Sequence, residues 1–512
     1  MTKTREDFSI WDCGPPEPCP SPFNLAQYVL SHVSRSPQKV ALSIVGPAHS
    51  EDWTYQEIEA AVRCIATGLL KYGLQSGDRV LLRIGNNPYF PICFLACIAV
   101  DLVPIPTSAQ LTEVETAGII HHLKPALIIR QCDIACPAHE NSCKLSTIRS
   151  LLALPPAEFV LGDPNRAGYI VYTSGTSGRP QAVLHAHRAI WARRMMIRDW
   201  YDLKPDDRLL HAGALNWTYT LGTGVLDPWS VGCTALIPAA NTVPETLPTL
   251  IQTHHATQFA AVPGIYRKIL NAACSLEFPQ LRHGLVAGEK LPFNLSHAWE
   301  RATGRKIYEA FGMSECSTFI SSGPRIPTQA GSIGRPQSGR RIAIIGLNGP
   351  VPHGELGSIA VHRSDQGLML SYVDDAQLTS ACYRGEWFLT NDIGSMTVSG
   401  DIHYHGRNDD MMNAGGYRVS PVEVEAVLMD FPDIDEACVT DIEIDHDRSI
   451  IAAFYVGSIE VSEADLNRFV SQRLARYKQP RRFLRLSKLP TNANGKINRK
   501  ALKSLSLESL HA

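Results

Sequence analysis

Residues 172–187 read YTSGTSGRPQAVLHAH, and this stretch decides the fold. Thr173, Ser174, Thr176 and Ser177 surround Gly175 and Gly178, directly after the apolar run Tyr169–Tyr172. Glycines let the backbone turn sharply, so successive N–H groups can converge on one anion. Hydroxyls at the same place add donors for phosphate oxygens. A strand running into such a loop makes a nucleotide polyphosphate the leading ligand. The spacing is not the Walker pattern, because no Gly-Lys-Ser/Thr follows at the required offset.

Outward from this loop, helical stretches alternate with short apolar, β-branched runs. Residues 1–25 read as an irregular lead-in. Glu57 to Tyr72 has helical periodicity, Arg79 to Arg83 reads as a strand, Phe90 to Val100 as a buried helix and Ala126 to Ile129 as a strand. Ala235 to Pro238, Gln258 to Val262 and Gly284 to Val286 are further strands. Such alternation predicts an α/β architecture with mostly parallel sheets. Gly323 to Gly339 is punctuated by glycine and proline, and Arg341 to His362 changes to short strands, which predicts a β-rich subdomain. A boundary falls near Asn408. Beyond it a smaller α+β unit is expected, with helices at Pro421–Met429 and Ala464–Ala475. Its strands are expected at Ala437–Thr440, Ile450–Tyr455 and Arg482–Leu486, before a terminal loop at Asn494–Lys496.

Bulk properties exclude several classes. The 512 residues exceed one ordinary domain, and a formal charge of −2 without long charged runs calls for neither nucleic acid nor an anionic membrane as partner. The apolar run Phe90–Val100 is about half the length of a membrane span and stops at Asp101, so no span is expected. The N-terminus lacks an apolar signal segment, and the 13 scattered cysteines suit free thiols in a reducing, cytoplasmic setting.

TSGTSGRP is followed by Ala287-Gly288-Glu289, FGMSE (Phe311 to Glu315) and LTNDIG (Leu389 to Gly394). After these come GRNDDMMNAGGYRVSPVEVE (Gly406 to Glu425) and NGKINRKAL (Asn494 to Leu502). In order and spacing, over nearly the whole chain, the set resembles the acyl-adenylating (AMP-binding) superfamily of acyl-CoA synthetases, aryl-CoA ligases, luciferases and peptide-synthetase adenylation domains. The resemblance implies a large N-terminal domain of stacked α/β sheets with a β-rich subdomain, residues 1–408, that binds AMP and the acyl group. It also implies a small mobile α+β C-terminal domain, residues 409–512, swinging on a hinge at Asp409.

The resemblance further implies roles. ATP would activate a carboxylic acid with Mg²⁺, and CoA would then take the acyl group. Lys496 matches the mobile catalytic lysine, a long-stemmed point charge that reaches between carboxylate and α-phosphate. Ser314 and Glu315 match the family's Thr-Glu, the hydroxyl bonding the α-phosphate and Glu315 helping to hold Mg²⁺, a hard cation. The loop Thr173, Ser174, Gly175, Thr176, Ser177, Gly178 would take phosphates. Asp392 would accept both ribose hydroxyls, with Arg407 beside the ribose and Arg418 toward the phosphates. Gly288, Glu289, Phe311 and Gly312 would flank adenine, while Gly415 and Gly416 would line a tunnel for the pantetheine thiol.

Three departures stand out. The phosphate loop continues Pro180-Gln181-Ala182 where the family has a lysine, so a charge is missing that Arg179 could partly replace. Asn391 stands where TGD would place glycine, and Asn413 where many members carry lysine. The stretch Ala214 to Gly232 resembles the benzoate and aryl-CoA ligase branch. Asn216, Trp217, Tyr219, Thr220, Gly288 and Thr318 are expected to line an acyl pocket for a small aromatic or short-to-medium acid. A free-standing carrier protein as acceptor, a non-catalytic nucleotide- or acyl-CoA-binding role and a homodimer stay open alternatives.

Overall fold

The computed structural model describes residues 7–12, 14, 16–47, 49–173, 181–240, 242–272, 276–408, 410–414, 417–445, 448–474, 476–491 and 497–510. A nine-stranded sheet forms its centre. Six neighbouring strands, Val40–Val45, Thr234–Pro238, Arg208–His211, Gln258–Ala261, His283–Ala287 and Ile307–Met313, run parallel. Antiparallel strands close both margins: Ser50–Thr54 on one side, Ser317–Ser321 and Arg335–Pro336 on the other. The predicted parallel sheet is therefore the interior of a mixed one. Its central strands are buried on both faces, as continuous apolar runs such as Thr234–Pro238 require.

A four-stranded parallel sheet, with Arg79–Arg83 between Val103–Pro106 and Leu127–Arg130, forms a second layer. Helix Tyr89–Ala99 is buried along its whole length, so its apolar run is core. Helix Tyr55–Lys71 starts at a capping box in which Thr54 and Glu57 satisfy each other's backbone N–H groups. No helix among the described residues is long and apolar enough to cross a membrane.

The predicted β-rich subdomain is a seven-stranded sheet carrying Arg341–Gly346, Gly357–His362, Trp387–Met396 and Ile402–Arg407. The lead-in is not wholly irregular. Ile10–Asp12 pairs antiparallel with Arg341–Ala343, and Arg341 grips the Asp12 carboxylate through two bonds of 2.9 Å. A strand of three residues has too little sequence to show a period; its partner lies more than three hundred residues away. Helix Leu25–Val29 also begins inside the lead-in, capped by Asn24.

Beyond Arg407 the chain builds a core of its own, Met412, Val419, Val424, Leu428, Val439 and Phe483 among its members. Helix Pro421–Met429 has the predicted bounds, whereas the helix expected over 464–475 spans Glu463–Ser471. A further helix, Arg499–Leu510, was not predicted. The expected loop Asn494–Lys496 lies outside the described residues. Arg267 reaches from the large unit to Glu436 at 2.7 Å, and Asn294 to Asp430 at 3.2 Å.

Candidate active site

The parallel strands deliver the site residues at their carboxyl ends, where open α/β sheets place ligands. His283–Ala287 ends at Gly288, Ile307–Met313 runs into Ser314 and Glu315, and Arg208–His211 leads to Asn216 and Trp217. Gly288 has φ +92°, and a Cβ there would lie 2.9 Å from Cζ2 and Cη2 of Trp217. Only glycine lets the indole lie this close to the strand end. Trp217 in turn meets Tyr219 edge-on, ring centroids 5.3 Å apart. Tyr219 and Thr220 are buried, and the Tyr219 hydroxyl donates to the Leu285 carbonyl at 3.2 Å. Tyr219 backs the indole from within the core, while Asn216 and Trp217 are half-buried. Glu289, after Gly288, is half-buried as well.

The turn Ser314–Thr318 is held at several points. His185 Nε2 donates to the Ser314 carbonyl at 2.7 Å, and Met369 N–H to the Glu315 carbonyl at 2.7 Å. Arg340 donates to the Thr318 carbonyl at 3.0 Å, and Arg193 to the Ser317 hydroxyl. Thr318 Oγ1 contacts Met196 Sδ. Gly312 is obligatory here, since a Cβ would come within 2.2 Å of the Ser317 carbonyl oxygen. Tyr372 donates its hydroxyl to Glu315 Oε1 at 2.7 Å, and its burial and that carboxylate hold the phenol protonated.

Asp392 lies on the buried face of strand Trp387–Met396, in alternation with Phe388 and Thr390. A carboxylate on a core face needs partners. Tyr404 donates to Asp392 Oδ1 at 3.1 Å, and Arg407 Nη1 stands 3.7 Å from Oδ2. The Phe311 and Tyr404 rings lie 5.5 Å apart, which joins the end of the central sheet to the β-rich sheet at this acid.

The structure thus groups Gly288 with Trp217, Ser314 with Glu315 and Thr318, and Phe311 with Asp392 and Arg407. Ser174, Gly175, Thr176, Ser177, Gly178, Asp409, Gly415, Gly416 and Lys496 lie outside the described residues. Thr173 pairs with Gln181 across antiparallel strands, and Arg418 lies in strand Tyr417–Val419. Sequence reasoning missed Tyr372, Tyr404, His185 and Arg193. Tyr404 was within reach, because its strand also carries Arg407, and His185 lies inside the stretch 172–187; Tyr372 and Arg193 had no motif to mark them.

The residues fit Mg²⁺ in one respect. Glu315 is a half-exposed hard oxygen donor, and no group of three or more metal-binding side chains occurs among the described residues. Such a site would depend on nucleotide phosphates and water for its remaining ligands, which is how Mg²⁺ is usually held beside phosphates.

Known proteins agree with this architecture. The family model for AMP-binding enzyme matches residues 30–373, and that for AMP-binding enzyme C-terminal domain matches residues 423–496. The chain belongs to the AMP-binding enzyme family. It is 27% identical over 493 residues to acyl-coenzyme A synthetase ACSM3, mitochondrial, of Homo sapiens, covering 88% of this chain and 83% of that protein. It is 27% identical over 499 residues to a 3-hydroxybenzoate–CoA ligase of Aromatoleum sp. (strain CIB), covering 90% and 93%. A benzoate CoA ligase from Burkholderia xenovorans LB400 superposes with a TM-score of 0.84 at 25% identity, over 94% of this chain and 100% of that one. The sequence-based assignment to the acyl-adenylating superfamily, and to the AMP-forming acid–thiol ligases within it, agrees with all three.

Proposed function

We propose that the protein is an ATP-dependent carboxylic acid–CoA ligase acting on a small aromatic or short-to-medium acid. A carboxylate oxygen attacks the α-phosphorus of ATP, forming acyl-AMP and releasing pyrophosphate. The thiol of CoA then attacks the acyl carbon, giving acyl-CoA and AMP. The observation that carries this reading is the buried Asp392, flanked by Arg407 and Tyr404 beside Phe311, within one sheet junction of the Ser314–Glu315 turn.

In this reading Asp392 and Arg407 hold the ribose, and adenine lies near Gly288, Glu289, Phe311 and Gly312. The loop from Thr173 to Gly178 cradles phosphates, with Arg418 toward them. Ser314 bonds the α-phosphate, and Glu315 would hold Mg²⁺, which when bound neutralises phosphate charge. Lys496 bridges the two approaching anions; supplying charge and position is the protein's main contribution to such a step. Trp217 and Thr318 bound the acyl pocket with Asn216, Tyr219 and Thr220. The boundary falls at residues 408 and 409, Asp409 is the hinge, and Gly415 and Gly416 line the thiol tunnel after rotation. The 3-hydroxybenzoate and benzoate ligases among the similar proteins support the aryl preference.

The half-reactions separate the roles. Lys496→Ala is expected to abolish adenylate formation while leaving thioester formation from supplied acyl-AMP largely intact. Equal loss in both half-reactions contradicts the assignment of Lys496.

A further inference from the structure

Tyr372 joins two parts of the site that lie far apart in the chain. Its short strand, Ser371–Tyr372, pairs antiparallel with Gln181–Ala186, Tyr372 opposite Val183 and Ser371 opposite Leu184. The pairing continues on either side. Leu370 N–H donates to the Leu184 carbonyl at 2.7 Å, and Val373 N–H to the Ala182 carbonyl at 2.8 Å. Strand Gln181–Ala186 directly follows TSGTSGRP, residues 173–180.

The same segment reaches Glu315 twice. Met369 N–H donates to the Glu315 carbonyl at 2.7 Å, and the Tyr372 hydroxyl to Glu315 Oε1 at 2.7 Å. Backbone and side chain of one residue are therefore gripped from one short stretch of chain. The Tyr372 ring is buried in an apolar cluster with Val171, Val183, Phe319 and Phe388, and its N–H bonds Thr379 Oγ1 at 3.0 Å. A ring packed in this way sits in one rotamer, and its para hydroxyl has one place to be. Glu315, by contrast, is half-exposed. A glutamate in that setting keeps its rotamer freedom unless a partner holds it, and a phenol–carboxylate bond of 2.7 Å is of the short, strong kind that does so.

We propose that Tyr372 is the positioning residue of Glu315: its hydroxyl holds the carboxylate in one orientation for a divalent cation, and its strand ties that orientation to the backbone of residues 182–184. Tyr372 acts only through Glu315 and is not itself a ligand. The proposal deepens, and rests on, the reading of Glu315 as the residue that holds the cation beside the nucleotide phosphates. Hydrogen-bond partners that orient a ligating side chain contribute about 10- to 100-fold to metal affinity.

Manganese binding to the whole chain, followed by electron paramagnetic resonance with the unreactive nucleotide α,β-methylene-ATP present, reads this without turnover. Tyr372→Phe keeps the ring in its cluster and removes only the hydroxyl. Its manganese affinity is expected to fall about tenfold, while nucleotide affinity measured without metal stays within about twofold of the wild type. In a Glu315→Gln background the further change Tyr372→Phe is expected to alter manganese affinity by less than about twofold, because the hydroxyl has lost the carboxylate it acts through. A Tyr372→Phe protein that binds manganese as tightly as the wild type overturns the proposal. So does an equal loss in both backgrounds, or a parallel loss of metal-free nucleotide binding, since either makes the hydroxyl a general structural bond. A Glu315→Gln protein that holds manganese as well as the wild type defeats instead the reading of Glu315 on which the proposal rests.

Discussion

Asp392 and Arg407 stand directly opposite each other on adjacent antiparallel strands, with Arg407 Nη1 3.7 Å from Asp392 Oδ2. At that distance the pair attracts without closing into a tight bidentate bridge. Tyr404 contributes one donor to the same carboxylate and fixes its plane.

If Asp392 accepts the ribose hydroxyls, Asp392→Asn should raise KM for ATP by about 10- to 100-fold, the worth of hydrogen bonds to a charged acceptor. The fold should survive, since asparagine keeps the volume and can still meet Tyr404. Steady-state kinetics at saturating acid, with circular dichroism as a control, would show it. An unchanged KM would remove Asp392 from the nucleotide site.

Asn391, one residue earlier, has φ +64°. Asparagine is among the few non-glycine residues that accept this region readily, which explains how it stands where the related motif has glycine. Asn391→Gly should change stability little, by less than about 1 kcal/mol, whereas Asn391→Val should cost about 1–2 kcal/mol. Urea unfolding of both variants measures the difference; equal stabilities would contradict the conformational argument.

Gly288→Ala should be harmful for two independent reasons. Its φ of +92° disfavours any side chain, and the new Cβ would press on Trp217 at 2.9 Å. Displacing the indole should reduce kcat/KM for the best acid by tenfold or so, roughly the effect of one misfit methylene in a pocket. Retained activity with every acid would place the acyl pocket elsewhere.

Stability should rise with pH between about 4.5 and 6.5. Burial lowers His185 and His283 from 6.5 to about 4, and His187 and His211 from 6.5 to about 3. In that window the unfolded chain binds protons on these rings that the native state refuses, so acidification favours unfolding. Glu309 acts in the opposite sense. Burial raises its carboxyl from 4.5 to about 7, so its native form holds a proton that the unfolded chain releases, and its contribution fades as pH rises toward 7. Four histidines outweigh one glutamate. Urea midpoints at pH 5 and pH 6.5 check this, and a higher midpoint at pH 5 would contradict it.

Much of this architecture was legible because periodicity and motifs are local. Strand Arg79–Arg83 and helix Pro421–Met429 have the bounds their sequences predict. What escaped depends on distant partners. Ile10–Asp12 becomes a strand only because Arg341–Ala343 offers an edge, and the antiparallel margins of the central sheet follow from chain reversals that no hydrophobic period records. In the candidate site the motifs singled out Glu315 and Asp392, but not the tyrosines that bond them. Tyr404 reaches Asp392 across paired strands, 12 residues along the chain, and Tyr372 reaches Glu315 from a strand of another sheet, 57 residues away. The Asp227 that neutralises Arg193 lies 34 residues beyond it, and although the stretch Ala214–Gly232 contains it, nothing in that stretch marks the pairing.

On the proposed function this chain activates a carboxylic acid with ATP although Gln181 stands where related proteins have a lysine. The most direct measurement is ATP–pyrophosphate exchange across benzoates, alicyclic acids and linear acids of graded length, followed by thioester formation with CoA and with a carrier-protein thiol. We predict exchange that depends on a small aromatic or short-to-medium acid, and transfer of that acyl group to CoA. Folded protein that exchanges pyrophosphate with none of these acids, yet binds ATP or an acyl-CoA, would contradict the claim and make this a binding protein.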